Sequence, residues 1–135
     1  MTYLLDTNVC VTLLRNRDPG LRSRVLGQPY GIVTVCAIVA AELYEGAYRS
    51  NRLQQNLTQV QQFITQFPCL PFDSPAAEIA GQIAANLGLK GQSIGAYDTQ
   101  IAAIAIANNL TLVTHNVREF GRVTGLVYED WQTNP

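Results

Sequence analysis

Three carboxylates and one amide, far apart in this sequence, stand at strand ends or in the first turns of helices. Asp6 follows Tyr3-Leu4-Leu5, Glu42 falls within the stretch 37–49, Asp98 heads the stretch 98–107, and Asn116 follows the run 110–114. Each apolar run reads as a buried strand, and the stretches 37–49 and 98–107 read as helices. Asp6, Glu42 and Asn116 are therefore expected at the carboxyl edge of a parallel sheet, where open α/β folds bind ligands at a change of strand order, and Asp98, at the start of its helix, can face the same edge. Three anions sharing a pocket repel one another, and proteins relieve this by protonation, by Arg pairing or by a cation. Oxygen donors without Cys or His suit Mg²⁺ or Mn²⁺, and Mg²⁺ usually keeps waters and completes its shell with substrate phosphate oxygens. The chemistry implied is metal-assisted hydrolysis of a phosphodiester, with water acidified for attack and the leaving oxygen stabilised.

Taken singly, each residue has a plainer use. Asp98 can complement the dipole at a helix N-terminus, Asp6 can cap a helix beginning near Thr7 or Asn8, and Glu42 can be solvated beside Glu45. Asp98 is the least comfortable of the three in that use. The run Ile101 to Ala107 reads IAAIAIA and has no polar face, so its helix must be buried on nearly all sides. A carboxylate at the rim of such a helix costs several kcal/mol unless donors or a cation meet it. His115 is the only histidine and reads as a surface-loop residue; a pair of acid–base histidines is excluded, and with it the metal-free route to cleaving RNA.

The elements that must position these groups alternate. After Tyr3-Leu4-Leu5 come a helix over Val9 to Arg15, a break at "RDPG", a short helix through Leu21, Val25 and Leu26, and a strand within residues 30–35. A helix over 37–49 follows. Ser50 or Asn51 is expected to cap the next, Gln-rich helix, whose Leu53, Leu57, Val60, Phe63 and Ile64 form one apolar stripe. Residues 69–73 read as a strand. Ser74-Pro75 suits an N-cap followed by Pro at the first helical position, and Gly88 a helix stop. The Asp98 helix closes at Asn108-Asn109, the strand 110–114 follows, residues 115–125 form a turn, and "LVYED" supplies a last short strand. Strands alternating with helices imply a three-layer α/β domain: a central, mostly parallel sheet flanked by helices, spanning 1–135 as one unit.

At 135 residues the chain fits a single core. Its 47% hydrophobic and 14% charged composition exceeds average apolar content, which points to an oligomer or a tight partner. A formal charge of −1 leaves no global basic footprint for nucleic acid. Eight of the nine basic residues are arginines, whose forked guanidinium suits phosphate and carboxylate. Cys10, Cys36 and Cys69 read as small buried hydrophobes in a reducing cytosol. No apolar stretch reaches the roughly 20 residues that span a bilayer, so a cytoplasmic protein without a membrane partner is expected.

The segments "YLLDTNVC", "VTVCAIVAAELYEGAYRS" and "IGAYDTQIAAIAIANNLTLVTHNVREFGRVTGLVYEDW" resemble the PIN-domain ribonucleases, and more closely the VapC toxins of bacterial toxin–antitoxin pairs. The resemblance runs from Thr2 to Trp131 and is weakest in the Gln-rich helix. It implies an α/β domain that cleaves RNA with Mg²⁺ or Mn²⁺, with Asp6, Glu42, Asp98 and Asn116 at the catalytic positions. Asp6 and Asp98 would hold metal, Glu42 standing behind them or at a second ion. Asn8, in the D-T-N motif, would orient Asp6; Thr114, in T-x-N-x-R-E-F, would support the site; Arg118, and after it Arg122, would contact phosphate or, for Arg118, pair with Glu119. Asn116 occupies a position where many relatives carry Asp, which removes a charge from any second ion. The resemblance further implies a VapB antitoxin, a toxin homodimer, a higher assembly of the two, and a transfer RNA substrate, the "LLDTNVC" and "REFGRVTGL" ends looking most like members that cut initiator tRNA in its anticodon stem-loop. A PIN-fold module that binds RNA or protein without turnover is the alternative. Receiver domains and haloacid-dehalogenase-like phosphatases do not fit, since the chain lacks an adjacent acidic pair with a late-strand Lys and has Asp6-Thr7-Asn8 in place of D-x-D.

Overall fold

The computed structural model describes residues 1–133, so positions 134 and 135 of the expected domain lie outside the described residues. In chain order the elements are β1 (Tyr3–Leu5), α1 (Thr7–Leu14), α2 (Pro19–Leu26), β2 (Val33–Cys36), α3 (Ala37–Tyr48), α4 (Leu53–Ile64), β3 (Cys69–Leu70), α5 (Ser74–Leu89), α6 (Ala96–Ala107), β4 (Thr111–Val113), α7 (Val117–Phe120) and β5 (Tyr128–Glu129). The sheet has the order β3-β2-β1-β4-β5, and every pairing is parallel. It is a three-layer α/β fold with the sheet between helices.

This order decides where a site can form. From β1 the chain moves outward to β2 and β3, then returns to lay β4 on the other side of β1. The direction reverses between β1 and β4, and their carboxyl ends open a crevice. Leu4, Leu5, Leu112 and Val113 are fully buried, as strands covered on both faces must be. Most of the α6 run expected to be buried all round is so: Ile101 to Ala105 have no exposed surface, while Ile106 and Ala107 are partly buried, and removing each fully buried Ile side chain from water contributes roughly 1.5–3 kcal/mol. Asn109 takes a left-handed φ of 55°, a conformation short polar Asn tolerates, and turns the chain from α6 into β4.

Several local expectations shift. Asp73, not Ser74, caps α5 by accepting from the Ala76 N–H at 3.1 Å, which puts Ser74 and Pro75 inside the first turn, where a missing N–H costs nothing. Helix α4 starts after Arg52 without a side-chain cap, and the Ser50 hydroxyl instead closes α3 by donating to the Ala47 carbonyl. Of the α4 stripe, Val60 and Phe63 are buried, whereas Leu53 is exposed. The strand expected over 69–73 is only Cys69–Leu70, Pro71 being unable to donate to the ladder. Cys10 and Cys36 are buried but Cys69, on this edge strand, is exposed. The turn 115–125 contains α7. Tyr44 packs on the core while Tyr48, four residues on, is exposed.

The C-terminal segment is clasped to the sheet edge. Trp131 is buried, meets Tyr3 edge-on at 4.7 Å, lies 4.1 Å beneath the Arg24 guanidinium and donates from Nε1 to Glu129 at 2.9 Å. Arg24 also reaches Glu129 at 3.5 Å. Among the described residues no helix is long and apolar enough to cross a membrane.

Candidate active site

Leu5 and Val113 are register partners on β1 and β4, so the next residues, Asp6 and Thr114, leave the sheet side by side. Both are buried, at 3% and 0% exposure. One oxygen of Asp6, Oδ1, accepts from the Val9 N–H at 2.9 Å and so caps α1; the other, Oδ2, accepts from the Thr114 hydroxyl. The capping use and a place at the sheet edge thus coincide in one residue. Asn8 does not orient Asp6: its side chain is exposed and makes no bond to that carboxylate.

Beyond Thr114 the network continues outward. The Asn116 N–H donates to the Thr114 hydroxyl oxygen at 2.9 Å, and the Asn116 amide donates to Oε2 of Glu119 at 3.3 Å. Glu119 stands beside Asp98, in the first turn of α6. Glu42, half-buried on α3, accepts from the Thr7 hydroxyl at 2.6 Å. Asp6, Glu42 and Asp98 thus act on one another electrostatically, and Asn116 is linked to Asp6 through Thr114.

Two members of the site escaped the sequence reading. Glu119, expected only as the partner in one of two uses for Arg118, accepts from Asn116 and stands beside Asp98, while Arg118 is exposed. Its spacing was the available signal, because residues three apart on a helical turn share a face. Thr7, the middle of D-T-N, orients Glu42 from α1 across to α3; nothing in the local pattern indicates a bond over 35 positions. Arg122 is drawn elsewhere, donating to the Gln92 and Ser93 carbonyls at 3.4 and 3.3 Å and pinning the loop before α6.

Electrostatics set these acids apart from an ordinary buried carboxylate. Burial pushes the Asp6 carboxyl above its usual range, against the Thr114 and Val9 hydrogen bonds, with Glu42 adding to the rise and His115 opposing it. Asp98 is pushed up to about 6, first by burial and then by Glu119, Glu42 and Asp6. Asp18 is equally buried, but it caps α2 and accepts from Thr133, a set of donors that serves structure. Among the described residues no ion pair joins Arg to Asp6, Glu42, Asp98 or Glu119. Arginine pairing is thus not how this cluster is relieved, which leaves a proton or a cation.

The donor set fits a hard divalent ion in charge and chemistry, being carboxylate and amide oxygens with no sulfur. It is loose, however. Among the described residues no three His, Cys, Asp or Glu side chains stand close enough to form a ready chelate. Such a site suits an ion that retains water and takes substrate oxygens.

Comparison with known proteins agrees with this architecture. Residues 3–126 match the PIN domain family. The tRNA(fMet)-specific endonuclease VapC of Shigella flexneri is 36% identical over 132 residues, covering 97% of this chain and 98% of that one. Ribonuclease VapC2 of Rickettsia felis is 34% identical, with 97% and 98% covered. Among solved structures, the DNA-bound VapBC of Salmonella typhimurium superposes with a TM-score of 0.90 at 36% identity, covering 97% of this chain and 98% of that chain.

Proposed function

Because the chain belongs to the PIN-domain family and, within it, to the VapC ribonucleases, we propose that it is the endoribonuclease toxin of a toxin–antitoxin pair, hydrolysing RNA phosphodiesters with Mg²⁺ or Mn²⁺. The observation that carries this reading is the relay from Asn116 through Thr114 to Asp6, set against the raised carboxyl of Asp98. An anionic cluster held in place by neutral donors is costly alone and is relieved by a cation with its phosphate ligand.

In this reading Asp6 and Asp98 hold the ion, Glu42 and Glu119 stand behind them or at a second ion, and Asn116 contributes an amide in place of a fourth charge. The ion supplies acidification of water and neutralisation of phosphate charge. The chain's own part is orientation. Thr114 and the Val9 N–H fix Asp6, Thr7 fixes Glu42, and the α6 N-terminal turn presents Asp98 toward them. Water adds to phosphorus as the bond to the 3′ oxygen breaks, the proton passing to that oxygen, so the products carry a 5′-phosphate and a 3′-hydroxyl. Exposed Arg118 contacts the RNA backbone beside the site.

The Shigella relative's name supports a transfer RNA substrate, initiator tRNA being the first to try. The VapBC structures support a VapB antitoxin that neutralises the toxin and assembles with it. The chain acts in the cytoplasm as one PIN domain over 1–135 and pairs as a homodimer. The test is cleavage of a tRNA pool by the purified chain in Mg²⁺ or Mn²⁺ against EDTA. Metal-dependent cutting with 5′-phosphate ends is expected; no cutting of any RNA in either metal would make the fold a binding module.

A further inference from the structure

Beside the acid ring lies a groove of about 450 Å³ that the reaction as described does not use. Buried Val9 and Leu21 give it an apolar lining, joined by Asn8 and Thr12 of α1 and by His115 and Asn116. No Lys, Arg, Asp or Glu lines it, and the lining His115 is already paired with Asp130, so the groove offers no Lys or Arg to neutralise a phosphate. An apolar lining that also carries amide, hydroxyl and imidazole groups matches a flat heterocycle with a polar edge.

Two details are specific. The His115 ring is held in one orientation: Nδ1 lies 2.8 Å from Oδ2 of Asp130, whose Oδ1 accepts from the Gln132 N–H at 3.0 Å, and the clasp at Trp131 anchors this segment. Its side chain is nevertheless 57% exposed, leaving a ring face open. Asn8, released from any duty toward Asp6, lines the same groove with an exposed amide carrying two donors and an acceptor. Single-stranded RNA is recognised by stacking unpaired bases on aromatic or histidine rings and hydrogen-bonding their edges. The groove adjoins the acid ring through Asn116, which belongs to both.

We propose that this groove seats one nucleobase of the RNA next to the scissile phosphodiester, stacked on His115 and read at its edge by the Asn8 amide. The inference rests on the ribonuclease reading and names where base preference arises in that same site.

His115, as the chain's only histidine, gives a single imidazole signal, so the full chain can be titrated by NMR without metal or turnover. Adding each nucleoside 5′-monophosphate is expected to move the His115 ring protons upfield saturably, one base most strongly, with the Asn8 side-chain amide moving too. Ribose 5-phosphate and inorganic phosphate are the controls: equal shifts from these, or no shift with any nucleotide, would overturn the inference. In cleavage of a randomised stem-loop pool, wild type should prefer one base at a position flanking the cut. His115→Ala and Asn8→Ala should flatten that preference, lowering kcat/KM by about 5- to 100-fold at the preferred base and far less at the others, whereas His115→Phe, which keeps a ring, should retain it. An unchanged preference in His115→Ala would also overturn it. Upfield shifts without cleavage of any RNA would sink the nuclease reading while sustaining a base-binding groove; cleavage without shifts would do the reverse.

Discussion

The Thr114 hydroxyl donates to Oδ2 of Asp6 although 108 residues separate them. The bond exists because Leu5 and Val113 are opposite each other across β1 and β4 and each strand runs one residue further. Thr114 in turn accepts from the Asn116 N–H, so one buried hydroxyl orders two of the candidate catalytic groups.

Thr114→Val keeps the shape and removes the hydroxyl. It should cut cleavage or metal affinity by about 10- to 100-fold, as loss of a group orienting a ligand does, and destabilise the fold by about 1–3 kcal/mol because a buried acceptor and an N–H lose their partner. Thr114→Ser should restore most of both. Cleavage rates and urea unfolding of the two variants check this; wild-type rates in Thr114→Val would remove Thr114 from the site.

Asp6→Asn separates the two uses of Asp6. Asn caps a helix as well as Asp does, so α1 should remain intact by circular dichroism while cleavage falls by about a hundredfold or more. A folded Asp6→Asn that still cuts at the native rate would show that Asp6 is only a cap.

Glu119→Gln should keep its bond to Asn116 but withdraw a charge from Asp98. The Asp98 carboxyl should then move back toward its ordinary value, and the Mg²⁺ concentration for half-maximal cleavage should rise severalfold. Arg118→Ala should instead weaken RNA binding uniformly across sequences and lower the salt slope of binding by about one. Metal titrations and salt series of the two variants distinguish these effects.

The metal-free chain should lose stability as pH rises from about 4 to 7. Folded Asp98 holds its proton up to about 6, whereas in the unfolded chain it is released near 3.8. The folded state therefore binds more protons across that window, and the stabilisation present below it is lost as pH passes the folded value. Asp6 shifts in the same direction. Asp98→Asn should accordingly raise stability at pH 7 by about 1 kcal/mol, a figure reduced for solvent screening at a half-exposed group, and Mg²⁺ at pH 7 should stabilise wild type more than the variant. Thermal melts at pH 5 and 7, with and without metal, test it; a pH-independent melting temperature would contradict the acid coupling.

Much of this was legible from residue patterns. The apolar run behind Asp98 dictates a helix buried over Ile101 to Ala105, and Asp6 directly after a short apolar run marks a strand end, because burial period and strand ends are local properties. Caps such as Asp73 over Ser74 were off by one residue, since both types can cap and only the path of the chain selects between them.

The sequence by itself determined the alternating α/β order, the burial of Ile101 to Ala105 in α6 and the place of Asp6 at the end of a strand. Only the tertiary structure decided that Thr114 rather than Asn8 holds Asp6, that Thr7 holds Glu42, that Glu119 joins the acids, and that Asn8 and His115 line one groove. These are contacts between side chains from different elements, and they depend on strand order and register, which the spacing of residues along a chain does not encode.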